Sequence, residues 1–240
     1  MSPATGSSVA AQVRQRIHNN GEQYWQTKDF ADLSAPAAVT KALSRLATDG
    51  TIQRISKGIY YHPRQTRFGK SRPSQSGLHR LLEGYTLHPA GITASSLLGF
   101  TTQNSPAGEF ATTARSIPRK LLGERVKLYT NRPKTWENLS PKEAAILDFL
   151  RQKGQLSDLS PEQTKQLLLE HFQKQSCYPK LVKIALEEPP RVRAILGAIG
   201  QELGCNYSSL KQLKNNINPQ TRFDFGVLRC LKYAKDWQAK

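Results

Sequence analysis

The stretch from Pro36 to His62 constrains the fold more than any other part of the chain. Val39, Ala42, Leu43 and Leu46 recur at i, i+3, i+4 and i+7, which is one face of a helix over 36–48. Pro36 stands where a first-turn proline is tolerated, Ser34 is the expected N-cap, and Gly50 ends the helix. The opposite face carries Ala37, Thr40, Lys41, Ser44, Arg45 and Thr48, and no acid occurs before Asp49. Downstream, Thr51–Ile55 and Ile59–His62 alternate as two strands joined by Ser56-Lys57-Gly58. Upstream, Val9, Val13 and Ile17 predict a helix over 9–18, stopped by Asn19-Asn20-Gly21. Tyr24–Thr27 reads as a short extended piece and Asp29–Leu33 as a brief helix. Helix, short helix, helix, hairpin is the order of a winged helix-turn-helix, with Lys57 at the hairpin tip.

Charge says what such a domain meets. Of 240 residues, 35 are Lys or Arg and 18 are Asp or Glu, for a net charge of +17. A chain this basic is expected to bind a polyanion, most often nucleic acid. The excess is +7 over 1–72, +5 over 73–155 and +5 over 156–240, so no disordered basic tail carries it. The outer face of helix 36–48 suits the major groove, because small residues permit close approach while Thr, Ser, Lys and Arg reach bases or phosphates. A solvated helix surface has the same composition. The order of elements, the basic tip and the net charge favour DNA. Tyr60 and Tyr61 are adjacent and point to opposite faces with no aromatic-rich sheet motif beside them, which argues against RNA stacking.

Other classes are disfavoured. No apolar run approaches the roughly 20 residues of a membrane span, and Met1 to Ala11 lacks the basic start and apolar core of a secretory signal. Cys177, Cys205 and Cys230 form no CxxC, which speaks against a disulfide scaffold or zinc ribbon and for the reducing cytoplasm. The five histidines (18, 62, 79, 88 and 171) are scattered, so neither a metal nor a cofactor is expected. Phosphate-binding, zinc-protease and nucleophile-elbow motifs are missing. Asp224-Phe225-Gly226 spells a kinase tripeptide without its companions, and Glu187-Glu188 is the one pair of adjacent carboxylates. The expectation is a binding protein with no catalytic residues.

The remainder divides into two segments. Residues 73–155 read as a small mixed α+β domain. It holds helix candidates at Leu78–Glu83 and Thr93–Gly99 and extended pieces at Glu109–Thr112, Ser116–Pro118 and Arg125–Thr130. A capping box, Ser140-Pro141-Lys142-Glu143, opens the helix Pro141–Arg151. Arg115, Arg119, Lys120, Arg125, Lys127, Arg132 and Lys134, with Glu124 among them, either extend the DNA footprint or guard a strand edge. Residues 156–240 read as mainly helical. A second capping box spans Ser160–Gln163, and Leu167–Phe172 carries an apolar face. The helix Arg191–Leu203 presents Val192, Ile195, Leu196, Ile199 and Leu203, with Gly197 and Gly200 permitting close helix packing. Ser208–Lys214 and Phe225–Trp237 are further helices. Arg191 and Arg193 at a helix start oppose the dipole and call for a carboxylate or phosphate partner. The fold class is therefore α+β: a winged helix-turn-helix over 1–72, a mixed domain over 73–155 and a mainly helical region over 156–240.

Residues 29–64 (DFADLSAPAAVTKALSRLATDGTIQRISKGIYYHPR) resemble the winged helix of AbiEi-type antitoxins of type IV toxin–antitoxin systems. The shared pattern is A-V-x-x-A-L-S-R-L at Ala38–Leu46 and R-x-x-x-G-[IL]-Y at Arg54–Tyr60. Residues 90–113 are similar to the antitoxin core that follows, through Leu98-Gly99-Phe100-Thr101-Thr102-Gln103 and Pro106. The resemblance covers roughly residues 8–150. It implies a DNA-binding autorepressor that binds repeats in its own promoter and counters a nucleotidyltransferase-class toxin, often without a stable complex. It places Ala37, Thr40, Lys41, Ser44 and Arg45 on the recognition helix and Arg54 and Lys57 on the wing. With Ser34 these form the candidate DNA-binding set. Arg45 is open to a second role, folded back onto an acid of its own domain. Paired repeats imply two copies on DNA of a protein that is a monomer or weak dimer when free. The alternative is a protein-interaction module whose winged helix and C-terminal helices bind an acidic partner.

Overall fold

The computed structural model describes residues 7–123, 125–175 and 177–240, without the side chains of Gln75, Ser76, His79 and Gln175. Glu124 and the His79 side chain, both part of the sequence reading, thus lie outside the described residues. The chain forms two compact units, Met1–Gly84 with Ile117–Glu124, and Tyr85–Ser116 with Arg125–Lys240.

The first unit begins with α1 (Val9–Asn19), whose Ser8 cap accepts from the Ala11 amide and whose inner face buries Val13 and Ile17. Strand β1 (Gln23–Gln26) and a 3-10 segment (Thr27–Leu33) lead into α2 (Pro36–Thr48), which buries the four predicted residues Val39, Ala42, Leu43 and Leu46. Strands β2 (Gln53–Ser56) and β3 (Ile59–His62) form the wing. Their sheet has the order β1-β3-β2 and is antiparallel, with Gln23 opposite His62 and a bulge between Arg54 and Ser56. Trp25, Phe30, Ile52 and Tyr60 close the core against both helices.

Ser34 departs from its expected role as the N-cap. It sits in the left-handed region at φ 49°, its amide closes the 3-10 segment on Ala31, and Ala35 occupies the cap position with no side-chain hydrogen bond. A reversal this sharp takes Ser34 out of the extended conformation in which a cap serine reaches the N2 or N3 amide. Beyond the wing come β4 (Gln65–Thr66), β5 (Gly69–Lys70) and α3 (Gln75–Arg80), which continues as a 3-10 turn over Leu81–Gly84.

The second unit takes β6 (His88–Pro89), α4 (Gly91–Leu97) and β7 (Glu109–Ala111). The first unit then regains a short helix, α5 (Arg119–Leu122). In the second unit β8 (Lys127–Tyr129) completes a sheet of order β6-β7-β8, antiparallel then parallel. Residues 116–118 are not a strand; Ile117 is buried there. Helix α6 (Pro141–Arg151) starts at the predicted capping box, with both reciprocal bonds formed, and is buried from Glu143 to Leu150. It packs on α4 and on α9, so it is the axis of this unit. Around it run α7 (Pro161–Gln175), α8 (Tyr178–Ala185), α9 (Pro190–Glu202) and α10 (Tyr207–Asn215).

One hydrophobic core runs from Ala90 to Trp237, so the structure shows no break at residue 155 where the sequence suggested one. Three local expectations also change. Residues 225–237 are not one helix but two 3-10 turns, Gly226–Cys230 and Lys235–Trp237. Gly226 has φ +58° and donates its amide to Asp224, which sets a turn where the helix was expected. Gly197 and Gly200 admit aromatic rings rather than a helix backbone: a Cβ on them would collide with Trp237 and Tyr178 respectively. Arg191 and Arg193 form no ion pair with a carboxylate among the described residues. They donate to the carbonyls of Arg151 (3.1 Å) and Leu186 (2.7 Å), which close α6 and α8. Guanidiniums at the carbonyl ends of other helices satisfy both the orphan acceptors and the dipole.

Candidate nucleic-acid interface

The outer face of α2 is positioned from behind. Leu43 is wholly buried, α1 packs across the inner face, and Arg16 of α1 grips the approach to α2. Its guanidinium donates to both oxygens of Asp32 (2.8 and 2.5 Å) and to the Asp29 carbonyl (2.9 Å). Asp29 in turn accepts from the Gln26 amide at 2.7 Å. The segment that delivers Pro36 to the helix is thereby tied to α1 and β1.

Ala37, Thr40, Lys41, Ser44 and Arg45 are all exposed on that face. The side chains of Lys41, Ser44 and Arg45 have no hydrogen bond or ion pair among the described residues, so the folded-back role for Arg45 is not adopted. The nearest acid in sequence, Asp49, instead accepts from the Thr51 amide at 2.9 Å and faces Arg14 at 3.9 Å. Thr40 differs from its neighbours, because its hydroxyl donates to the Pro36 carbonyl at 2.9 Å. It therefore offers an outside ligand a methyl group and acceptor lone pairs, but no free proton. Ser34 is exposed too, though on the turn before the helix. Arg54 lies on β2 and Lys57 in the two-residue turn after it; both are exposed and unpaired among the described residues. Gly58 (φ +75°) permits that turn, and its carbonyl accepts from the Thr27 amide at 3.2 Å, which fixes the wing tip to the 3-10 segment.

The four acids of residues 7–72 are each engaged. The Arg16 hydrogen bond holds Asp32 below the usual carboxylate range. Hydrogen bonds from Tyr61 and Ser71 do the same for Glu22, and Thr51 does it for Asp49. Asp29 caps its own turn. Each of the four faces a donor within the unit.

One signal went unread in the sequence. From Gly50 to Leu82 there is no acid at all, while Arg54, Lys57, Arg64, Arg67, Lys70, Arg72 and Arg80 fall in that stretch. The β4–β5 hairpin lies inside it. Two residues per strand are too few for an alternation to register, although Phe68-Gly69 between basic residues hinted at a turn. The basic run from Arg115 to Lys134 does not behave as one surface. Arg132 is buried on Asp148 at 2.6 Å, Lys127 meets Glu109 at 3.3 Å, and Arg119 and Lys120 belong to the first unit while Arg115 and Arg125 belong to the second.

Several ionisable groups inside the second unit are paired with one another or with the backbone. Asp148 is fully buried and accepts from the Gly91 amide (2.7 Å) as well as from Arg132. Glu188 accepts from Trp136 (2.7 Å) and Arg151 (2.5 Å). Burial pushes the Cys177 thiol up to about 11, the opposite of a nucleophile's requirement. The described residues include no group of three His, Cys, Asp or Glu placed to hold a metal ion, and no helix long and apolar enough to cross a membrane.

The profile of a family of unknown function, DUF6088, matches residues 12–170. The chain belongs to this family. The match runs from α1, through α2 and the wing, into α7 of the second unit. No curated protein matches. Among solved structures, the crystal structure of the RV2827C protein from Mycobacterium tuberculosis is similar at 14% identity, covering 94% of this chain and 89% of that one with a TM-score of 0.38.

Proposed function

We propose that this DUF6088 protein is a double-stranded-DNA-binding transcriptional repressor that reads DNA with the outer face of α2. The observation that carries the reading is that face itself. Lys41, Ser44 and Arg45 stand exposed beside Ala37 and Thr40, on a helix held rigidly from behind, with no partner among the described residues. Donors without internal partners on a small-residue helix face are what the major groove accommodates, each good base contact contributing about 1–3 kcal/mol of discrimination. Arg54, Lys57 and the other cations of the acid-free stretch supply phosphate contacts, so affinity falls steeply with salt. The winged-helix arrangement supports the reading without deciding it, since such domains also bind proteins.

The resemblance to AbiEi-type antitoxins extends this proposal. The protein represses its own promoter from paired repeats, acts in the cytoplasm, and counters a nucleotidyltransferase-class toxin. Its role is binding rather than catalysis. The test is fluorescence anisotropy with DNA from upstream of its own gene and with a scrambled duplex, at two salt concentrations. Lys41→Ala/Ser44→Ala is expected to lose the preference for the native sequence while keeping the salt-sensitive background. Equal binding of both duplexes by the wild type would overturn sequence-specific reading by α2.

A further inference from the structure

The hairpin formed by β4 and β5 holds an aromatic ring out in water. Gln65 pairs with Lys70 and Thr66 with Gly69, which leaves Arg67 and Phe68 as a two-residue tip, and Phe68 is 101% exposed. Among the described residues no other large apolar side chain stands so far out; Tyr207 follows at 76% and Leu97 at 42%.

The tip is built rather than loose. The Thr66 hydroxyl donates to the Gly69 carbonyl at 2.6 Å and accepts from the Phe68 amide at 3.2 Å. Gly69 takes φ +104°, which suits glycine alone. One step down, the Ser71 amide donates to the Arg64 carbonyl (2.9 Å) and the Arg64 amide to the Ser71 hydroxyl (2.8 Å), which also meets the Tyr61 hydroxyl on β3 (2.8 Å). The Lys70 ammonium donates to the carbonyl of Gly50 at 2.6 Å, just past the end of α2. The arm is thus rooted both in the wing sheet and at the end of the helix read above as the groove reader.

Its surroundings specify the occupant. The hairpin sits in the middle of the acid-free stretch, and Arg54, Lys57, Arg67, Arg72 and Arg80 have no hydrogen bond or ion pair among the described residues. A partner must therefore offer dense negative charge on its outside and an apolar slot within reach of one ring. Duplex DNA offers both, as phosphates and as the faces of stacked base pairs. An anionic lipid surface offers them as well, but Phe68 is flanked by Thr66, Arg67 and Gly69, and a single ring gives a membrane little to hold.

We propose that Phe68 is an apolar wedge that enters a base step from the minor groove, with Arg67 on the flanking phosphates, so that the protein kinks the DNA it binds. The inference rests on the DNA-binding reading above and adds a second contact and a deformation to it. Sequences with a flexible step beneath the tip would then be preferred without any base contact there.

The test uses the full chain and overlapping duplexes covering the DNA upstream of its own gene, labelled at both ends. Energy transfer reports the bend and anisotropy the affinity. The wild type should bring the ends together. Phe68→Ala should abolish the bend and weaken binding about ten- to hundredfold with the salt slope unchanged, because no charge is removed. Phe68→Leu should keep the bend, since leucine also serves as a wedge. Arg67→Ala should lower the salt slope by about one. Full exposure of Phe68 keeps these variants folded, and circular dichroism checks it. A Phe68→Ala protein that bends DNA as the wild type does overturns the wedge and leaves the DNA-binding reading intact. A wild type that binds none of the duplexes overturns both. Wild type sedimenting with phosphatidylcholine–phosphatidylserine vesicles, and Phe68→Ala failing to, overturns the wedge in favour of a membrane contact.

Discussion

The two units differ in how their arginines are placed. In the second unit four arginines are bound from within, Arg132 to Asp148, Arg151 to Glu188, and Arg191 and Arg193 to helix-end carbonyls, while Arg115, Arg125, Arg222 and Arg229 stand exposed. In the first unit Arg45, Arg54, Arg67, Arg72 and Arg80, with Lys41 and Lys57, have no such bonds among the described residues, while the local acids are engaged elsewhere. A buried guanidinium must be compensated by its own protein, because desolvation costs several kcal/mol per ion. An exposed one costs nothing to leave free, and awaits an anion from outside. Net charge alone cannot separate these two uses. Pairing separates buried from exposed guanidiniums, and the acid-free run from Gly50 to Leu82 is what sets the first unit apart.

The largest effect expected from this contrast is on stability. Asp148→Ala leaves Arg132 buried beside Arg151 without its carboxylate and strips the Gly91 amide of its acceptor. A loss of about 3–5 kcal/mol is expected for breaking such a pair. Urea unfolding followed by the fluorescence of Trp136 and Trp237 in this unit measures it, with Trp25 reporting the other unit. The contrast breaks if Asp148→Ala spares stability and instead abolishes DNA binding.

Next in size is Lys41→Ala/Ser44→Ala. Selectivity for the native duplex should fall by about 1–3 kcal/mol per lost base contact, while the unfolding midpoint moves by no more than about 0.5 kcal/mol, as for exposed positions with no internal partner. Arg54→Ala sharpens the division between reading and positioning. It should weaken binding to native and scrambled duplexes alike and lower the salt slope by about one. A selective loss with Arg54→Ala would move it from the phosphates to the bases.

A smaller, pH-dependent effect belongs to the second unit. His88 donates from Nε2 to the Trp136 carbonyl (2.8 Å), and its Nδ1 is buried with no partner among the described residues. Burial pushes its pKa down. The unfolded chain therefore takes up a proton near pH 6.5 that the folded chain resists until lower pH. This contribution is complete above about pH 6.5 and is lost as pH falls through the folded value. The unfolding midpoint of the second unit should drop between about pH 7.5 and about pH 5.5. His88→Gln, which keeps a donor for the carbonyl, should flatten that drop.

How much of this was legible depended on the range of the forces involved. Helices α2 and α6 were readable to the residue, α2 from its 3.6-residue apolar period and first-turn proline, α6 from its capping box and first-turn proline. The wing strands were placed to within two residues, although β3 is buried at Ile59, Tyr60 and Tyr61 in succession and so does not follow the alternation expected of it. Helix α8 went unread: it has eight residues, with Pro179 in its first turn, and it is held by packing on α9. The single core of the second unit was also hidden. α6 is buried all round, and nothing in its own sequence says that α4 covers one side and α9 the other. At the candidate site, the exposed face of α2 followed from the same period that fixed its core. The β4–β5 arm did not, because hydrogen bonds from Tyr61, Ser71 and Lys70, all outside its tip, hold it in place.

The finest test concerns Ser34, where local rule and structure part. Read as an N-cap, Ser34 would accept a hydrogen bond from the first turn of α2 and contribute about 1 kcal/mol. Found at φ 49°, it makes no cap bond and occupies a backbone region that costs an L-residue roughly 1–2 kcal/mol. Replacement by glycine removes that strain but enlarges the entropy of the unfolded chain, and the two terms oppose each other at similar size. Ser34→Gly should therefore leave the first unit equally stable or more stable by a few tenths of a kcal/mol. Ser34→Asp tests the cap directly. Aspartate is among the strongest cap residues and its charge also complements a helix N-terminus, so a true cap position would gain stability with it. In the left-handed turn the carboxylate gains no cap bond and adds negative charge beside the face that is to meet phosphate. Unchanged stability with weakened DNA binding is the expected result, whereas a gain in stability would restore Ser34 as the cap of the reading helix.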